Sequence, residues 1–119
     1  MATTSELFGL TPAEKNAWIN TIYSEAYKGG VNAPDVRAVA TNLLARRANN
    51  YNDYGDMVGQ AKAPGQYAVN FDLSREQVAG RGLLSADQYK FIEDIVENPK
   101  LMAQTLEESG APLSFRGTQ

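Results

Sequence analysis

Apolar side chains recur along this chain at intervals of three and four, the period of an amphipathic helix. Trp18 and Ile22 begin one such stripe, Val36, Val39, Ala40, Leu43 and Leu44 form a second, and Tyr89, Ile92, Ile95 and Val96 a third. Helix punctuation falls where the stripes begin and end. Thr11-Pro12-Ala13-Glu14 is a capping box with proline at the first helical position, and Gly29-Gly30 supplies a stop, which predicts a helix over about 12–28. Pro34 starts a second helix that Asn49-Asn50 ends. Residues 49–55, rich in Asn, Asp and Gly, read as a loop, with a short helical turn over 56–61. Lys62-Ala63-Pro64-Gly65 breaks the chain, and residues 66–71 follow in extended or irregular form. Two further capping boxes, at Ser74 and Ser85, open a short helix ended by Gly80-Arg81-Gly82 and a longer one over 86–97. Asn98-Pro99 starts a last helix that runs to about Ser109 and is closed by Gly110. The expected architecture is one mainly α domain spanning 1–119 with an irregular middle, α+β remaining possible if the 66–71 stretch pairs as strand.

One carboxylate interrupts this pattern. At about 100° per residue, Trp18, Ile22 and Glu25 share a narrow arc of the first long helix. Charge normally avoids an apolar stripe, because burying an ionised carboxylate costs several kcal/mol unless it is paired. Glu25 therefore either reaches water at the edge of the stripe, pairs with a cation such as an arginine, or is held protonated as a general acid.

Composition narrows the chemistry. The chain has 119 residues, 21% charged, with a net charge of −3, no Cys and no His. That size supports one modest core, and the charge balance argues against nucleic acid as the partner. Without Cys or His there are no disulfides, no Cys nucleophile, no Ser-His-Asp triad, no His-ligated zinc and no histidine acid/base step. Proton chemistry must then come from Asp, Glu, Lys or Tyr, and glycosidic cleavage is the common reaction class that needs carboxylates alone. No metal or cofactor is expected. No apolar run of 18 residues and no basic-then-apolar N-terminus is visible, so neither a membrane span nor a signal peptide is expected.

Three short elements stand in order along the chain: Ser24-Glu25-Ala26 late in a helix, Val39-Ala40-Thr41-Asn42-Leu43-Leu44-Ala45-Arg46 late in the next, and Pro64-Gly65-Gln66-Tyr67 after a loop. Their order and spacing resemble the cell-wall hydrolase family typified by the spore cortex-lytic enzyme SleB. Members show a helix ending in Glu-Ala, a helix running Val-Ala-x-Val-x-Leu-Asn-Arg, and Gln-Phe after a turn. The resemblance covers roughly residues 16–70, with an echo at Gly110-Ala111 and Ser114-Phe115. The family's Asn before the Arg aligns with Ala45 here, so any bond that Asn makes near the cleft is either lost or supplied from elsewhere, Asn42 being one source.

The resemblance implies a small lysozyme-like or SleB-like fold that cuts peptidoglycan glycan strands, with Glu25 as the single catalytic acid of a lytic transglycosylase. Gln66, Tyr67, Tyr27 and Arg46 are then the expected substrate-binding residues: Gln66 for an N-acetyl group, Tyr67 and Tyr27 as sugar platforms, and Arg46 to orient Glu25 or a nearby carboxylate. Trp18, Ile22 and Tyr67 would supply apolar surroundings suited to a protonated acid. A hydrolase would need a second carboxylate, for which Asp35, Asp53 and Asp56 are candidates beside their simpler roles as caps and turns. Plainer readings stand alongside. Arg46-Arg47 suits the dipole of a helix C-terminus, Gln66 suits the end of a turn, and tyrosines pack in cores. A phage protein, carried in a virion or released to the host periplasm and cell wall, fits the compact size and the Met1 start. A fragment of a larger secreted protein is the other route to the wall. The rival reading is a non-enzymatic virion structural subunit that keeps a degenerate hydrolase fold.

Overall fold

The computed structural model describes residues 2–26, 33–62 and 86–108. They are mainly helical, and no strand occurs among them. Among the described residues six α-helices follow in order: α1 (Thr4–Phe8), α2 (Pro12–Ala26), α3 (Ala33–Ala48), α4 (Met57–Lys62), α5 (Ala86–Val96) and α6 (Pro99–Glu108), with a 3-10 turn at Tyr51–Asp53. The expected helix over 74–80, the 66–71 stretch and the tail from 111 lie outside the described residues. No helix among the described residues is long and apolar enough to cross a membrane.

The four long helices begin and end within a few residues of their sequence signals. The Thr11 capping box forms as expected: the Glu14 amide donates to the Thr11 hydroxyl at 3.1 Å, and the Thr11 amide to the Glu14 carboxylate at 3.1 Å. Asn98 caps α6 by accepting from the Leu101 amide at 3.2 Å. Helix α1 is an addition to the expected set. Thr3 and Glu6 make a reciprocal capping box, and Gly9 closes the helix in the left-handed region at φ 66°.

Helix α2 is the central element, packing on α3, α4 and α5, while α3 also meets α5 and α6. Trp18, Ile19, Ile22, Val36, Ala40, Leu43, Leu44, Met57, Ile92, Val96 and Met102 form the buried core. Val39 and Ile95, expected inside, are only partly buried and pack against its margin. Trp18 combines burial with direction, since its indole N–H donates to the Ala40 carbonyl of α3 at 3.2 Å. Lys15 ties α2 to α5 through Glu93 at 2.6 Å and Glu97 at 3.1 Å. Glu97 also accepts from the Ser5 amide at 2.8 Å, which fastens α1 to the same corner.

Candidate functional site

Helix α2 carries two glutamates on nearly one azimuth. At 3.6 residues per turn, Trp18 lies about 40° and Glu25 about 20° around the helix from Glu14. Glu14 and Trp18 both reach α3, through Arg47 and Ala40 respectively. Rising from 14 to 18 on α2 means falling from 47 to 40 on α3, so the two helices run antiparallel. Continued along the pair, that register sets Glu25 level with the first turns of α3, around residues 33–36.

Glu14, at the near end of α2, is almost fully buried and fully engaged. Arg47 Nε donates to its Oε2 at 2.7 Å, and the Met57 amide donates to the same oxygen at 2.9 Å. The Thr11 amide donates to Oε1, which also receives a longer contact from Arg47 at 3.4 Å. One carboxylate thus joins the start of α2, the end of α3 and the start of α4. Burial alone would raise the Glu14 pKa. The Arg47 hydrogen bond, the Met57 and Thr11 amides and the Arg47 charge outweigh it and hold the carboxyl below its ordinary value.

Glu25 stands in the last turn of α2 and is half-buried, next to buried Ala26 and one turn beyond buried Ile22. Glu14, in the first turn of α2, is favoured by the helix macrodipole. The two glutamates stand about 16 Å apart along the helix at 1.5 Å rise per residue.

Arg46 lies toward the opposite end of the helix pair from Glu25. It neighbours Arg47 at the Glu14 end of the pair, and its guanidinium lies over the Tyr51 ring at 4.4 Å from the centroid. In an antiparallel pair, residues late in both helices sit at opposite ends, so of the two expected roles for Arg46 this register favours a carboxylate other than Glu25. Gln66, Tyr67 and Tyr27 lie outside the described residues. Ala45, in the place of the family Asn, is half-buried, and Asn42 is exposed on α3.

The three aspartates separate in the same way. Asp56 caps α4 by accepting from the Gly59 amide at 3.1 Å, and Asp53 accepts from the Asn50 amide group at 3.3 Å in the loop after α3. Both belong to the Glu14 end. Asp35, exposed in the first turn of α3, stands at the Glu25 end. Among the described residues no cluster of three or more acidic side chains is arranged to hold a metal ion.

The sequence reading missed the weight carried by Glu14, although its capping box was plain. The signal available was Arg47, the second cation of the Arg46-Arg47 pair. No protein-family model, curated protein or solved structure matches this chain.

Proposed function

We propose that this protein cleaves the glycan strands of peptidoglycan as a lytic transglycosylase, with Glu25 as its acid and base. The observation that carries the reading is the placement of Glu25. It is a half-buried carboxylate beside buried Ala26 and one turn beyond buried Ile22, on the face turned toward the start of α3. The absence of His and Cys leaves carboxylates as the acid/base groups. The Glu-Ala, Ala-Arg and Gln-Tyr elements, in the order of the SleB-type family, supply the substrate class.

In this scheme Glu25 protonates the glycosidic oxygen between two sugars as the bond to C1 breaks. The C6 hydroxyl of the same muramic residue then attacks C1, and Glu25, now a carboxylate, takes the hydroxyl proton. The proton count closes, no water is consumed, and the product carries a 1,6-anhydro ring. The attack is entropically favourable because nucleophile and electrophile belong to one sugar. A lysozyme-like or SleB-like arrangement of the helices belongs to the same proposal.

Mass spectrometry of glycan digested in heavy-oxygen water tests the reaction. Anhydromuramic ends without solvent oxygen are the expected product. Reducing muramic ends that carry one solvent oxygen would replace the transglycosylase with a hydrolase. Asp35 would then be the carboxylate to substitute first, being the one of the three candidate aspartates at the Glu25 end. No cleavage of any wall type would leave the virion structural subunit as the better account.

A further inference from the structure

We propose that the loop between α3 and α4 is a saccharide-binding subsite, remote from Glu25, in which Tyr51 and Tyr54 take the sugar faces and Arg46 backs the platform. The inference rests on the glycan-cleaving reading for its choice of ligand.

The loop is costly to build. Asn50, Asn52 and Asp53 all have positive φ, at 46°, 50° and 60°. Asn and Asp tolerate this region better than other side chains, yet such positions cost on the order of 1 kcal/mol each and persist only where the surroundings enforce them. The enforcement is visible. Gln60, fully buried in α4, donates from Nε2 to the carbonyls of Gly55 at 3.1 Å and Tyr51 at 3.3 Å. Asn50 accepts from the Gly55 amide at 2.8 Å and donates to Asp53. A plain connection from α3 to α4 requires neither the strain nor a buried glutamine clamp.

The clamped loop presents aromatic surface. Tyr51 is 39% exposed, and its ring lies 6.4 Å from that of Tyr54 at an interplanar angle of 54°. Arg46 holds the Tyr51 ring from one side. Asn52, Asp53 and Asp56 are exposed beside it. Aromatic faces accept the C–H side of a pyranose ring by dispersion, and amide and carboxylate groups at the rim receive its hydroxyls. The loop sits at the Glu14 end of the helix pair, about 16 Å along α2 from Glu25 by helical rise. A polymeric glycan can bridge that span, so binding here adds to the cleavage of long strands and not to that of fragments too short to reach both sites.

The test uses the full chain as Glu25→Gln, which binds without cutting, and chitotetraose as probe. The aromatic NMR signals of Tyr51 and Tyr54 should shift saturably on titration. Tyr51→Ala should weaken binding about ten-fold, the loss of one stacked ring, while Tyr51→Phe keeps it. If the Tyr51→Ala backbone spectrum shows a disturbed loop, Tyr54→Ala gives the same comparison. Loop signals that stay still at saturating chitotetraose overturn the subsite, including the case where the loop instead answers only to a protein partner. The two readings fail separately. A protein that binds sugar at the loop yet leaves cell wall uncut loses the catalytic role, and one that cuts wall with a silent loop loses the subsite.

Discussion

Glu14 and Glu25 show how one residue type on one helix face acquires two settings. Glu14 lies in the favourable half of the α2 dipole and is enclosed by Arg47 and two amides, so its charge is matched on every side. Removing that charge leaves the Arg47 guanidinium, itself mostly enclosed, without its counter-ion. Glu14→Gln is expected to destabilise the fold by about 3 kcal/mol, toward the low end for a broken buried pair. Thermal denaturation checks this as a fall in midpoint of on the order of 10 °C for a domain of this size. The capping box around Glu14 could be read from residues 11–14 alone because its bonds are local. The Arg47 and Met57 contacts could not, since they join residues 33 and 43 positions away and depend on how three helices dock.

Elements were readable where apolar period and caps coincide over three turns or more, as in α2, α3 and α5, while α6 was marked by its Asn98-Pro99 start and Gly110 stop. Helix α1 escaped because five residues are too few to display a period, although Thr3, Glu6 and Gly9 mark its ends. The loop from 49 to 55 was readable as a loop from its Asn and Gly content. Its clamped shape was not, because that rests on Gln60 reaching back from α4. Gly59 provides an element-scale test of how tightly this segment packs. A β-carbon there would fall on the Tyr54 carbonyl, backbone that cannot swing aside. Gly→Ala within a helix ordinarily stabilises by up to about 1 kcal/mol. Gly59→Ala should instead destabilise, and urea titration should show a lower midpoint with an unchanged slope. A midpoint equal to or above the wild type would contradict the close approach of α4 to the loop.

At the scale of the whole molecule, the antiparallel pairing of α2 with α3 explains which motif residues converge. Motifs close in sequence order suggested that Glu25 and Arg46 meet. The pairing instead places Arg46 beside Tyr51 and leaves Glu25 at the start of α3, with Gln66, Tyr67 and Tyr27 outside the described residues. The same packing sets the pH range of stability. The Glu14 carboxyl is held below its ordinary value of 4.5, so its contribution is complete above that pH and is lost as pH falls through the folded pKa. Burial alone would lower the Lys15 amine, but its hydrogen bonds to Glu93 and Glu97 and their charges hold it above 10.5. Its contribution is therefore complete below 10.5 and lost as pH rises through the folded value. Denaturation midpoints measured across pH should show a plateau with a falling limb on each side. Glu14→Gln should flatten the acid limb, and Lys15→Met the alkaline one. The measurement that bears most directly on the proposed activity is the release of soluble glycan from purified cell-wall sacculi by the wild type and by Glu25→Gln. The expected result is solubilisation by the wild type and a loss of at least about a hundred-fold in the variant, the scale of a removed general acid, with folding unchanged by circular dichroism. Equal release by the two proteins, or none by the wild type on sacculi of any wall type, would contradict the role assigned to Glu25.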